Sequence, residues 1–281
     1  AIHVEMGRVW SRAPLIPALL GLQAIAASGS LPNKQDWIDR ICGGAYVPLH
    51  MLPAKVEGRE ALTGTITGVF DADMASYVVA QLGERYVLVP LDCTGVRLIE
   101  RTMWDETRRV FDIELDGFVP AIILAKDETA RALHDAISAN AQLALAADAL
   151  GGAQAALSAT VEYLGLRKQF DRPLAMFQAL KHRVADLRIG NGTAEALLWS
   201  CAKNAETSIT ELGAMKAFVA DNYRAVTEEM IQLHGGIGLT QEHPCHLFMK
   251  RAMLDLHLCG SPDYWHEARG REMMKALSQS S

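Results

Sequence analysis

Between residues 228 and 248 the chain reads EEMIQLHGGIGLTQEHPCHLF, a helical pattern that stops at Gly235 and Gly236 and restarts after Pro244. Two adjacent glycines offer chemistry through the backbone. With no Cβ, the chain can lie directly against a ligand, or Gly235 can serve only as the left-handed residue that ends a helix. His234, taken alone, is an ordinary capping or surface histidine. Upstream, RKQFDRPLAMFQALKHRVADL (167–187) supplies the forked cation of Arg167, a group that suits oxyanions, together with Gln169, Phe170 and Phe177. Taken singly, Arg167 reads as an exposed charge and the two phenylalanines as core. The five cysteines, Cys42, Cys93, Cys201, Cys245 and Cys259, are odd in number, widely spaced and free of any Cys-x-x-Cys pair. Neither a metal site nor a disulfide framework is expected from them.

The elements that must position these residues fall into three stretches. Of the 281 residues half are apolar, enough for a sizeable core in one large or two modest domains. Residues 1–46 read as helical, with Asn33 as an N-cap and Gly43–Gly44 as a stop. The run from Met6 to Ser30 has the basic, apolar and small residues of a secretory signal. Two prolines and the preceding Glu5 favour a buried helix with loops instead. Residues 47–125 carry short β-branched and aromatic runs, TGTITGVF, SYVVAQL, RYVLVPL and FDIELDGF, separated by turn residues, and read as a β domain. Residues 126–281 read as a helical bundle: a long helix running through SANAQLALAADALGG to RKQF, then helices near 176–205, 208–234 and 243–258. In the second of these Phe177, Leu180, Val184 and Leu187 share a stripe, which predicts one buried face. The expected fold class is therefore mainly α with a central β domain.

A formal charge of −6, from 27 basic and 33 acidic residues, repels phosphate backbones and anionic lipid surfaces. Nucleic-acid and membrane partners are not expected, and a cytoplasmic location is. No stretch is long and apolar enough to span a bilayer.

RKQFDRPLAMFQALKHRVADL followed by QLHGGIGLTQEHPCHLFMKRA, at this spacing, resembles the C-terminal domain of the acyl-CoA dehydrogenase family. More weakly, EMGR and NKQDWIDRICGG resemble the end of that family's N-terminal helical domain, and 47–124 its middle β-barrel. The resemblance implies FAD shared between subunits and α,β-desaturation of an acyl-CoA thioester. It assigns Arg167 to the FAD pyrophosphate, Gln169 and Phe170 to contacts beside it, and Phe177 to the adenine. It assigns Gln232, Leu233, His234, Gly235 and Gly236 to the segment under the adenosine.

The pattern then breaks. The family's catalytic Glu stands in one of two places. In the loop LHLCGSPDYW this chain has Cys259, Gly260 and Ser261, and on the long helix, about seven turns before Arg167, it has Ala141. No catalytic residue is assigned; Asp148, on about the same helix face two turns beyond Ala141, and Asp263, just past the loop, could serve as displaced bases. Over the flavin, AYVPLHMLPAKVEGREALTG is apolar and proline-bearing, poor in the hydroxyls that a flavin edge needs. Asp171 replaces the glycine usual after RKQF and, as a residue tolerant of left-handed backbone, should keep the turn. These gains and losses resemble the non-catalytic subunit of an α2β2 acyl-CoA dehydrogenase of steroid side-chain degradation. The implied partners are a related catalytic subunit and an electron-transfer flavoprotein or similar acceptor. The alternatives are a self-sufficient homotetramer with a displaced carboxylate, a monooxygenase, or a non-enzymatic member of the fold.

Overall fold

Three short helices open the chain: α1 (Ile2–Arg8), α2 (Leu15–Ala27) and α3 (Lys34–Cys42). Seven strands follow: β1 (Lys55–Glu57), β2 (Leu62–Phe70), β3 (Tyr77–Leu82), β4 (Arg85–Pro90), β5 (Val96–Arg101), β6 (Val110–Phe118) and β7 (Ile122–Lys126). After the 40-residue α4 (Asp127–Leu166) come a two-stranded hairpin, β8 (Lys168–Gln169) and β9 (Arg172–Pro173), and then α5 (Gln178–Lys203), α6 (Ile209–His234), α7 (Cys245–His257) and α8 (Pro262–Gln279). The computed structural model describes residues 1–279 except Pro53 and Arg59. Those two belong to the apolar stretch discussed above and lie outside the described residues.

The contacts divide the chain into two compact units, Arg12–Ala141 and Ala1–Ser11 with Gln142–Ser281. In the first, two antiparallel sheets, ordered β1-β2-β6-β5 and β3-β4-β7, close around one apolar core. Ile66 and Val69 of β2, Val78 and Ala80 of β3, Val87 and Val89 of β4 and Ile113 and Leu115 of β6 fill it. YVVAQL and RYVLVP are buried at nearly every position rather than at alternate ones. That is the burial expected of strands covered on both faces. α2 reaches the chain near Val47 through Gly21, where an added Cβ would lie 2.0 Å from the Val47 carbonyl oxygen. The apolar run from Met6 thus contains a packed helix, with Leu20, Ala24 and Ile25 buried.

In the second unit α6 is central and packs against α5, α7 and α8. A capping box starts it: Ser208 Oγ accepts from the Glu211 amide, and the Glu211 carboxylate accepts from the Ser208 amide. Its apolar positions Leu212, Met215, Val219, Tyr223, Val226 and Met230 are all buried. α1 crosses α4 at two glycines. A Cβ at Gly7 would stand 1.9 Å from the Asp148 carbonyl oxygen, and one at Gly151 1.9 Å from that of Val4.

Four expectations differ from what is seen. The long helix ends at Leu166, so RKQF lies in the hairpin, where a reversal of the chain replaces helical continuation. α8 was not foreseen, although Pro262 at its first position is a helix-start signal. β5 and β7 were not foreseen either. The Phe177–Leu187 stripe is only half-covered: the buried residues of α5 are Asn191, Ala194 and Leu198.

Gly151→Ala should lower stability by about 1–3 kcal/mol, because the added methyl overlaps backbone that has no room to move. Gly270→Ala, in α8 with open space around the added carbon, should raise it by about 0.5–1 kcal/mol. Urea unfolding midpoints of the two variants check both signs.

Candidate functional site

Lys168 pairs with Pro173 and Gln169 with Arg172, leaving Phe170 and Asp171 as a two-residue loop. Both have positive φ, 52° and 60°, as the mirror-image turns of tight hairpins require. Asp171 therefore holds the turn without glycine, as its tolerance of left-handed backbone predicted. Phe170 is the unexpected member, since left-handed backbone costs a bulky residue about 1–2 kcal/mol. The Arg167 carbonyl accepts from the Leu174 amide at 2.8 Å and so closes the base of the hairpin.

This geometry displays the side chains outward. Phe170 is 84 % exposed, and Arg167 and Gln169 are exposed too. Among the described residues Arg167 makes no side-chain hydrogen bond or ion pair. Phe177 is half-buried under its neighbours: the Phe170 ring meets it edge-on with centroids 6.1 Å apart, and the Arg172 guanidinium sits over it at 4.0 Å. Arg172, which sequence reasoning passed over, thus makes a cation–π contact that fixes the ring beside the hairpin. Its five-residue separation from Phe177 follows neither helical nor strand periodicity.

The end of α6 lies at the root of the same hairpin. Tyr163, whose carbonyl oxygen accepts from the Arg167 amide, stacks on His234 with ring centroids 4.3 Å apart, and its hydroxyl donates to the His234 carbonyl oxygen at 3.2 Å. Gln232, Gly235 and Gly236 are exposed, whereas the side chains of Leu233 and His234 are buried. His234 is thus a packed residue rather than a surface or capping one, and it can offer a surface ligand only its backbone. Gly235 has φ 65° and ψ −141°, a conformation open essentially to glycine alone. At Gly236 φ is not positive and an added Cβ would meet nothing within 4 Å, so nothing in this chain requires a glycine there. Space for close approach is therefore present over Gly236, and the residues fit a flat ligand laid on the backbone.

The acid is missing from both places. Cys259, at φ 53°, forms a turn whose carbonyl accepts from Gln142 Nε2 and Trp265 Nε1, each at 2.9 Å. Lys216 of α6, fully buried, donates to the carbonyls of Leu256, Leu258 and Gly260 at 3.2, 2.7 and 3.0 Å. Burial pushes its ammonium down to about 8. Burial also pushes the Cys259 thiol up to about 11, which keeps it neutral. Lys216 was not foreseen; the lone cation within the apolar run GAMKAFVA was the available signal. Asp148 is buried against Arg251, 3.5 Å away, and Arg251 also donates to the Ser11 carbonyl. Asp263 is exposed in the first turn of α8.

In the unit Arg12–Ala141, two polar groups of the stretch beginning at Ala45 are engaged by carbonyls of β2, while His50 Nδ1 is buried without a hydrogen-bond partner. His50 Nε2 lies 2.8 Å from the Thr67 carbonyl oxygen, and the Tyr46 hydroxyl donates to that of Phe70 at 3.0 Å.

Residues 138–268 match the acyl-CoA dehydrogenase C-terminal domain. Over 258 residues, 92 % of this chain and 72 % of the relative, the sequence is 40 % identical to acyl-CoA dehydrogenase IpdE2 of Mycobacterium tuberculosis. The chain belongs to the acyl-CoA dehydrogenase family. It is 34 % identical to acyl-CoA dehydrogenase IpdE2 of Mycolicibacterium smegmatis over 194 residues, which are 69 % of this chain and 57 % of that one. It therefore spans between about half and three quarters of these relatives. Among solved structures, the Tcur3481-Tcur3483 steroid ACAD superposes with TM-score 0.86 at 25 % identity, covering 99 % of this chain and 80 % of that one. Butyryl-CoA dehydrogenase from Megasphaera elsdenii, at TM-score 0.85 and 18 % identity over 97 % and 80 %, shares the fold. The acyl-CoA dehydrogenase fold read from the sequence is thus the fold observed. Among the described residues no helix is long and apolar enough to cross a membrane.

Asp148→Ala should cost about 1–3 kcal/mol, because it removes a carboxylate from the buried Arg251, which keeps other partners such as the Ser11 carbonyl. Asp263→Ala should change stability by about 0.5 kcal/mol or less, as expected at an exposed surface position. Thermal unfolding of both variants checks this, and a near-neutral Asp148→Ala would show that the buried pair is not needed.

Proposed function

We propose that this chain is a base-less, cofactor-gripping subunit of a FAD-dependent acyl-CoA dehydrogenase that desaturates an acyl-CoA thioester. Arg167, Gln169, Phe170, Phe177 and the segment Gln232–Gly236 would hold the adenine and pyrophosphate end of FAD. A related subunit would supply the flavin pocket and the acid. The observation that carries the reading is a contrast within one unit. The hairpin exposes an unpaired Arg167 and a strained Phe170, while the loop after α7 offers Cys259, Gly260 and Ser261, with no carboxylate, in a fixed turn.

The chemistry of the retained residues suits the tail of a dinucleotide. The guanidinium of Arg167 can give two parallel hydrogen bonds to a pyrophosphate, and it needs no rearrangement to do so because no internal partner occupies it. Phe170 offers an aromatic face, and the open backbone at Gly236 admits a ring system at van der Waals distance. FAD, when bound, would take up the hydride released as a base removes the substrate's α-proton. The engagement of His50 Nε2 and the Tyr46 hydroxyl by the Thr67 and Phe70 carbonyls supports placing the flavin ring elsewhere. The pairing of Asp148 with Arg251 weighs against a self-sufficient enzyme that uses it as base.

The name of the similar Tcur3481-Tcur3483 steroid ACAD joins two polypeptides and a steroid. It supports a heteromeric assembly, α2β2 in our reading, and a bulky polycyclic CoA ester, such as a steroid side-chain thioester, as substrate. An electron-transfer flavoprotein or a similar acceptor would reoxidise the flavin.

The chain purified alone should hold little FAD and reduce no dye with acyl-CoA. The chain copurified with an acyl-CoA dehydrogenase-like partner should do both. Full flavin occupancy and turnover by the lone chain would defeat the reading. In the assembled enzyme Arg167→Ala should weaken FAD binding by about 10- to 100-fold, the worth of a charge-assisted hydrogen-bond pair, although the base sits on the other polypeptide.

A further inference from the structure

His234 closes α6, His243 lies in the connection that follows, and Cys245 opens α7, so three side chains of metal-binding type meet where two helices join. One ligand atom from each, two imidazole nitrogens and a thiol sulfur, fall within 4.8 Å of one another. Among the described residues this is the one such cluster of three. The imidazoles of His234 and His243 face each other at 4.5 Å between centroids, and His243 Nδ1 lies 3.0 Å from Cys245 Sγ.

The second observation is the state of His234. Its Nδ1 lies 2.7 Å from the Met230 carbonyl oxygen, which can only accept, so Nδ1 carries the hydrogen and Nε2 presents a lone pair. That Nε2 is buried and has no hydrogen-bond partner, in a residue only 3 % exposed. A histidine whose far nitrogen donates to a backbone carbonyl while the near one stays bare has the arrangement that metal-ligating histidines take. The stacked ring of Tyr163 holds its orientation.

We infer that His234, His243 and Cys245 form a binding site for a borderline-soft divalent transition-metal ion such as Zn2+. Two nitrogens and one sulfur, with no carboxylate in the set, favour such an ion over Mg2+ or Ca2+. Tetrahedral Zn2+ with bonds of about 2.0–2.3 Å needs its ligand atoms roughly 3.3–3.7 Å apart, so the cluster must tighten by about 1 Å. His243, half-exposed in a connecting segment, can supply that movement and opens the site to solvent. Binding converts the Cys245 thiol to a thiolate: the S–H bond breaks, an S–metal bond forms, and the proton leaves to solvent. Three protein ligands leave a fourth position for water. The ion would clip the end of α6 to the start of α7 across the segment that holds Gly235 and Gly236. The inference does not rest on flavin binding.

Zn2+ titrated into the metal-free full chain should bind at one equivalent and raise the melting temperature. Co2+ in its place should give a thiolate-to-metal absorption band. Cys245→Ser should abolish that band, and His243→Gln, at a half-exposed position where folding is not at stake, should weaken binding by about tenfold or more. Circular dichroism of the metal-free variants verifies that both fold. No uptake by the wild-type chain, or one-equivalent binding that neither substitution weakens, would overturn the assignment.

Discussion

The ammonium of Lys216 sets the shape of the chain where it leaves α7. The Leu256 carbonyl is among those that a helix leaves without an internal donor at its C-terminus, and Leu258 and Gly260 extend the same row of acceptors into the turn. A buried cation can remain in the interior only where such acceptors replace its water, and three converge here. Gln142 and Trp265 then hold the Cys259 carbonyl, and the Trp265 indole fills the space beside Gly213 and Gly260, where an added Cβ would clash with its ring. The turn 258–261 is therefore held by three side chains, Lys216, Gln142 and Trp265. Cys259, Gly260 and Ser261 present there a neutral, half-buried thiol, a hydrogen and a hydroxyl. None of these can take a proton from carbon at neutral pH, so any base serving this scaffold must come from a position outside that turn.

Much of the fold was legible because its signals are local. The β-branched runs became β2, β3, β4 and β6, and the helix ends near 208 and 234 lie within a residue of a capping box and a positive-φ glycine. What escaped depends on contacts distant in sequence. β5 and β7 are strands because β6 and β4 lie beside them, not because Val96–Arg101 or Ile122–Lys126 has a strong pattern of its own. The long helix runs through Gly151 and Gly152 as the sequence predicts, but the reason for the glycines was hidden: Val4 and Tyr223 need the room. The end of α4 was misread for the opposite reason: RKQF has good helix formers, but the hairpin that takes it is closed by Leu174, seven residues beyond Arg167.

The candidate site was legible in residue type and only partly in orientation. The family resemblance assigned Arg167, Phe170 and Gly236 to one ligand, but it could not tell that Leu233 and His234 turn inward while Gln232 and Gly235 face out. That division follows from the angular phase of α6, which its packing against α5 and α7 sets. The pairing of His234 with His243 and Cys245 was invisible because the 3₁₀ turn Gly235–Leu239 folds the chain back, and no cysteine or histidine spacing anticipates that path.

Phe170 bears on why the proposed nucleotide grip would belong to an interface. Left-handed backbone in a bulky residue persists when surroundings over-determine it, and strain of this kind gathers at functional positions. Within this chain the ring gains little in return. It is 84 % exposed, and its one aromatic partner is an edge contact with Phe177 at 6.1 Å. Asparagine or glycine would adopt this backbone with less penalty or none. The half-covered stripe of α5, Phe177 to Leu187, adjoins the same hairpin and is likewise short of partners in its own chain. A strained aromatic, an unpaired guanidinium and an underpacked helix face at one end of one unit are each unfavourable alone. A single contact from outside the chain would offset all three, and the dinucleotide with the subunit that carries its ring has the chemistry to provide it.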